Sequence, residues 1–261
     1  MSTGAITSYI DVAQVVLYAF WIFFAGVILY LRREDKREGY PLESDRTRRT
    51  SRMQVVGFPK PPSPKTFLLA HGGKVTVPNG KGDDRQIKAM PIGAWPGAPL
   101  HPTGNPMVDG VGPAAFAERE DVPELTLDGR PCIVPMRVDP DSVIEATEAD
   151  PRGMKVVGGD GKVAGAVVDV WVDRTEPQVR YLEVELASKG NKRTALLPIY
   201  FAKIDARRRQ INVRSVLAAQ FADVPPLRAA DQVTKLEEDR ITAYYAGGTL
   251  YATPSRLGPV L

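Results

Sequence analysis

Twenty consecutive residues, Val12 to Leu31, carry one polar amide, Gln14, and no charge. At about 1.5 Å of rise per residue, a helix of that length reaches roughly 30 Å, the thickness of one hydrocarbon core. A buried helix of a water-soluble domain keeps a polar stripe over such a length, and this run has none. A cleaved secretory leader fits poorly. No cation precedes the run, the apolar core is too long, and Tyr30-Leu31-Arg32-Arg33 stands where small residues would mark cleavage. The run therefore predicts a single-pass anchor. Arg32, Arg33, Lys36 and Arg37 follow it directly, so the positive-inside rule predicts residues 1–11 outside and the bulk of the chain in the cytoplasm.

The rest of the 261 residues suffices for one compact domain plus extended material, and leaves no room for two large enzyme domains. The single cysteine, Cys132, excludes an internal disulfide and a CxxC site, which agrees with a reducing compartment. His71 and His101 are the only histidines and both adjoin Gly or Pro, so no metal centre is expected. No Walker or dinucleotide glycine loop and no GxSxG elbow occurs. A non-enzymatic role is the natural expectation, since a nucleophile and base set is missing.

Asp11 is placed to cap the anchor helix, and Tyr30 to settle at headgroup level. Trp21 lies near mid-span, where it suits packing against neighbouring protein or pigment. From Arg32 to Arg52 eight cations mix with five acids, a run suited to an anionic leaflet or to simple stop-transfer. Residues 41 to 140 hold sixteen of the twenty-three prolines, a density that blocks helices and central strands. Phe58, Phe67, Trp95 and Phe116 make the same stretch too apolar for a free linker. It reads as an irregular layer laid over another surface, with short strands at Thr66–Leu69 and Lys74–Val77, the second closed by Pro78-Asn79-Gly80. Ten acids against three arginines between Glu118 and Asp150 form either a solvated face or a proton-gathering one.

A compact domain is expected from near Gly153, with residues 151–261 as one unit and 32–150 as the extended one. Its strands are Lys162–Asp173, Tyr181–Leu186, Thr194–Ile199, Ala202–Asp205 and Gln210–Val213, separated by Lys189-Gly190-Asn191 and Arg207-Arg208-Arg209. Strands this short and evenly spaced predict a small closed antiparallel barrel. A helix is predicted from Asp231 as N-cap to Ala246, with Gly247-Gly248 as its stop.

The strings FWIFFAGVILYL, REGYPLE, PKPPSPKTFLLAHG, HPTGNPMVDGVGPAAF, VVDVWVD, YLEVEL and LEEDRITAYYAGGTLYA appear in that order. Their order and content resemble the H-subunit family of the purple bacterial photosynthetic reaction centre, over almost the whole chain. The resemblance implies one transmembrane helix and a mainly β cytoplasmic domain, a PRC-type barrel, with an irregular proline-rich layer and a C-terminal helix. It also implies a bacterial inner (intracytoplasmic) membrane and a subunit without pigment chemistry of its own. Its partners would be the two pigment-binding subunits, with antenna polypeptides, a cytochrome subunit and phospholipid as further neighbours and no nucleic acid. Those partners would hold the bacteriochlorophyll, bacteriopheophytin, quinones and non-haem iron. Family members cap the cytoplasmic face, shield the quinone region and carry part of the proton route to the secondary quinone.

Carried over residue by residue, the resemblance assigns proton transfer to Glu176 as interior relay, Asp173 as a partner nearer the surface and Arg180 as the tuning cation. Asp128 is a candidate acid where protons enter. The family's histidine pair after the PEL-D-G stretch is absent from Pro123-Glu124-Leu125 to Cys132, so a histidine-gated, metal-inhibited access is in doubt. His71 and His101 are expected in local turn packing. Lipid contact is implied for Tyr30, Arg32, Arg33, Lys36 and Tyr40. The competing reading is a membrane-tethered PRC-barrel adaptor that binds RNA or a cytoplasmic protein through Arg207 to Arg209, although that turn lacks stacking aromatics.

Overall fold

The protein is described from a computed structural model that covers residues 4, 6, 10–40, 57–83, 85–95, 97–187 and 193–257. Most of the charged run after Tyr40 and the Lys189-Gly190-Asn191 turn lie outside the described residues. The chain divides into two compact units, Met1–Asp84 and Arg85–Leu261.

In the first unit, α1 spans Val12–Glu34 with Asp11 as its N-cap. The Asp11 carboxylate accepts from Gln14 N at 2.8 Å, and the Gln14 amide oxygen accepts from Asp11 N at 3.4 Å. The one polar side chain of the span thus closes a capping box at the helix end, where four backbone donors lack partners. No residue of α1 is buried within the chain. Phe20, Trp21 and Phe24 form one aromatic cluster on its surface, with ring centroids 5.5 to 5.9 Å apart. The helix is long and apolar enough to cross a membrane.

A short 3-10 turn, Asp35–Arg37, ends α1 and converts its basic flank into a clasp. Arg37 donates to Glu34 at 2.7 Å, to Ser63 O at 2.9 Å and to Val77 O at 3.2 Å. Lys36 is buried and donates to Pro59 O at 2.7 Å, with its ammonium 5.1 Å from the Tyr40 ring centroid. The clasp holds β1 (Lys65–Leu68) and β2 (Lys74–Val77), an antiparallel pair close to the expected strands.

In the second unit, β3 (Ala89–Pro91) and β4 (Leu100–Pro102) pair antiparallel, and the short helix α2 covers Pro106–Asp109. Next come β5 (Ile133–Pro135), β6 (Lys155–Val157), β7 (Val163–Asp173), β8 (Gln178–Leu186), β9 (Thr194–Pro198), β10 (Lys203–Asp205) and β11 (Gln210–Asn212). They form one seven-stranded sheet in the order β10-β11-β6-β7-β8-β9, with β5 also paired to β7. The sheet fits the expected mainly β barrel domain, with two differences in detail: among the described residues no ladder closes β9 onto β10, and β11 runs parallel to β6.

Strand β7 is the spine because three neighbours hydrogen-bond to it: β8 along most of its length, β6 at one half and β5 at the other. Register shifts between Val167 and Asp169 and between Trp171 and Val172 break its alternation. Val170, Trp171 and Val172 are consequently all buried, which strict period-2 alternation forbids. The core joins Trp171, Leu182, Leu197 and Ile211 of the sheet to Ile241, Tyr244 and Tyr245 of the helix that follows it.

Helix α3 spans Lys235–Tyr251. Its cap is Thr234, not Asp231, because Thr234 Oγ1 accepts from Glu237 N at 3.1 Å while Glu237 accepts from Thr234 N at 2.8 Å. Gly247 and Gly248 do not stop the helix. A Cβ on Gly247 would stand 2.5 Å from Ala114 Cβ, and one on Gly248 would stand 2.5 Å from Ser215 O. The pair lets α3 approach two other segments at backbone distance.

Candidate functional site

The β7–β8 hairpin carries three of the four proton-transfer candidates. Asp173 closes β7 and its Oδ1 accepts from Thr175 N at 2.9 Å, Thr175 Oγ1 at 2.6 Å and Glu176 N at 3.3 Å. This is an Asx-type turn, the local geometry that an aspartate two residues before a threonine favours. Burial alone would raise the Asp173 carboxyl, but the donors from Thr175 and Glu176, with the nearby Arg180 cation, hold it below the ordinary carboxylate range.

The expected depth order is reversed within this chain. Asp173 is 9 % exposed, whereas Glu176 stands on the exposed hairpin tip with Gln178 Nε2 donating to it at 3.0 Å. The turn that satisfies Asp173 folds its side chain inward and points the tip residue out. Arg180 lies on β8, and its Nη2 is 3.9 Å from Glu238 Oε2 on α3. Asp128 does not join this group. It occupies a separate surface turn, paired at 3.6 Å with Arg130 and 77 % exposed.

The acid-rich segment is less free than a solvated face. Glu120 pairs with Lys235 at 2.9 Å, Asp121 pairs with Arg228 and accepts from Thr234 Oγ1 at 2.8 Å, and Asp150 pairs with Arg152 at 2.6 Å. Asp139 accepts from Ser142 and from Arg174 Nε, the latter at 2.9 Å, and these bonds, the Ser142 one foremost, hold its carboxyl below the ordinary range against the effect of burial. These acids bind the segment to the sheet and to the start of α3.

Two polar groupings went unremarked in the residue patterns. One is Arg137 with Asp169, Glu183 and Trp171, whose only signal is a pair of acids inside apolar strands. The other is Tyr181 with Glu238, where Tyr181 Oη donates to Glu238 Oε2 at 2.9 Å.

Among the lipid candidates, Tyr30 and Arg32 are 59 % and 63 % exposed and Arg33 is exposed too. Lys36 is buried, donates to Pro59 O and lies over the Tyr40 ring inside the clasp, while Tyr40 is half-buried. His71 is exposed on the β1–β2 turn and His101 is exposed on β4, so neither packs in a turn as expected. Arg207, Arg208 and Arg209 are exposed on the β10–β11 connection.

Residues 4–138, more than half of the chain, match the family described as photosynthetic reaction centre, H-chain N-terminal region. The chain belongs to the reaction-centre H-chain family. Residues 145–219 match the PRC-barrel domain, which covers β6 to β11. H-chain membership makes it a structural, membrane-anchored subunit of a photosynthetic complex, with α1 as the apolar helix suited to the anchor.

Proposed function

We propose that this chain caps the cytoplasmic face of the two pigment-binding subunits of a reaction centre, stabilises their quinone sites and supplies part of the proton path to the secondary quinone. The N-terminus lies in the periplasm and the second unit in the cytoplasm of the bacterial inner (intracytoplasmic) membrane, a reading supported by the cations that follow α1. Tyr30, Arg32 and Arg33 lie at the depth of phospholipid headgroups. The bacteriochlorophyll, bacteriopheophytin, quinones and non-haem iron belong to the partner subunits, with antenna polypeptides and a cytochrome subunit as neighbours.

The observation that carries the proton role is the hairpin itself. An exposed carboxylate, Glu176, sits next to a buried one, Asp173, whose charge is fixed by three donors, with Arg180 behind them. Charge buried with a reduced quinone is costly in protein, so protons must arrive with the electrons. A surface acid can collect a proton, and a permanently ionised neighbour favours its inward passage. Glu176 is the relay in this reading, Asp173 the fixed negative charge, Arg180 the cation that tunes both and Asp128 an outlying collector.

Stripping this chain from the purified complex is expected to slow electron transfer to the secondary quinone and the accompanying proton uptake, while charge separation persists. Rebinding the chain restores both. Unchanged uptake in the stripped complex contradicts the proposal. Zinc is expected to inhibit uptake only weakly, because residues 123–132 offer no imidazole to hold it. Strong inhibition at submicromolar zinc would show that the access point lies at some other ligand set.

A further inference from the structure

Glu238 is the one acid of α3 that neither caps the helix nor reaches water. Glu237 closes the capping box, Asp239 pairs with Arg119 at 3.4 Å, and Glu238 is turned against β8 with 8 % of its surface exposed. Its Oε2 accepts from Tyr181 Oη at 2.9 Å and faces Arg180 Nη2 at 3.9 Å, beyond a hydrogen-bonded ion pair. The same Arg180 acts on Asp173.

We propose that Glu238 is a second proton-holding carboxylate, seated behind the Asp173–Glu176 hairpin, with Tyr181 as its orienting donor and Arg180 as the cation it shares with Asp173. The proposal rests on the proton-uptake reading above and adds a site to it. The groups facing Glu238 are Tyr181 and Arg180 from β8 and Arg119 and Glu124 from the segment before β5. Buried Cys132 is within electrostatic reach of Glu124, Asp173 and Glu238 alike, and that reach, after burial, holds its thiol up and neutral. Glu238 thus draws on two cations, Arg180 and Arg119, against the charge of Glu124, and Arg180 is shared in turn with Asp173, so one added proton relieves the group.

That proton belongs on Glu238 because Asp173 already has three donors to its charged form. Burial lifts the Glu238 carboxyl above the ordinary range and Glu124 adds to the lift, while the Tyr181 donor and the Arg180 and Arg119 cations offset part of it. Tyr181 keeps its own proton, since burial raises its phenol strongly. Uptake converts the Glu238 carboxylate to the neutral acid by forming one O–H bond, and release breaks the same bond and re-forms the carboxylate beside Arg180.

The test uses the intact reaction-centre complex with Glu238→Gln, which keeps an acceptor for Tyr181, together with Tyr181→Phe and Glu176→Gln. Flash-induced proton uptake is titrated against pH, and infrared difference spectra are recorded in the carboxylic-acid carbonyl region. Glu238→Gln is expected to lose the uptake that titrates above the ordinary carboxylate range, and one carbonyl band with it. Tyr181→Phe removes a donor to the charged form, so the same uptake moves to higher pH. If Glu176→Gln slows uptake while the other two variants leave its titration and the band unchanged, Glu238 is overturned and the proton route stands. If all three leave uptake unchanged, both fall.

Discussion

Replacing Arg137 with methionine is expected to lower the stability of the second unit by about 3–5 kcal/mol, the usual cost of removing one partner from a buried charge pair. Arg137 follows β5 directly, in the 3-10 turn Met136–Val138. Its Nη1 lies 2.8 Å from Asp169 Oδ2 and 2.6 Å from Glu183 Oε2, and its Nη2 donates to Ala230 O. The two carboxylates project from adjacent strands at paired positions, Asp169 on β7 and Glu183 on β8. Their side chains are only 8 % and 11 % exposed, so water reaches them poorly in place of the guanidinium. Trp171 Nε1 donates to Glu183 at 3.1 Å and Val170 N to Asp169 at 2.8 Å, but neutral donors leave two adjacent charges without a cation.

The guanidinium is itself 41 % exposed, so removing it regains little desolvation energy to offset the penalty on the acids left behind. Urea unfolding followed by the fluorescence of buried Trp171 measures the effect. A triple variant that adds Asp169→Asn and Glu183→Gln should recover most of the loss. An unchanged midpoint for Arg137→Met would show that the acids find other partners.

How much of this was legible in the residues depends on how local the cause is. The anchor was plain because one solvent constraint governs twenty residues, and its N-cap could be read from Asp11. Strand β7 announces itself by a β-branched run and β8 by alternation over Tyr181 to Leu186. Strands β5 and β6 do not, because three residues show no alternation and their pairing is decided by β7. The start of α3 is written in Thr234-Lys235-Leu236-Glu237, a capping box that outcompetes Asp231 as the cap. Gly247-Gly248 reads as a stop by local preference, yet Ala114 and Ser215, far away in sequence, require those glycines inside the helix. Lys36 reads as a headgroup ligand until the return of the chain at Pro59 supplies a carbonyl for it.

The site divides the same way. Asp173, Glu176 and Arg180 were placed together by a motif, and the structure keeps them on one hairpin. Which acid is buried follows from the Asx turn that Asp173-Arg174-Thr175 encodes. Glu238 was out of reach, since only the packing of α3 on β8 brings it to Tyr181.

The proposed movement of protons to a quinone held by the partner subunits is exposed to test by Glu176→Gln in the assembled complex. The substitution preserves size and the contact with Gln178 but removes the titrating group. Proton-coupled transfer of the second electron to the quinone should slow by about tenfold or more, less than the roughly hundredfold that a sole positioned proton-transfer group supplies, because Asp173 and other acids remain nearby. The first charge separation should be unaffected, since no proton moves in it. Time-resolved absorption paired with a pH-indicator dye reads both steps in one sample. A slowed second transfer with delayed proton uptake is the predicted result; wild-type rates in both would contradict the account.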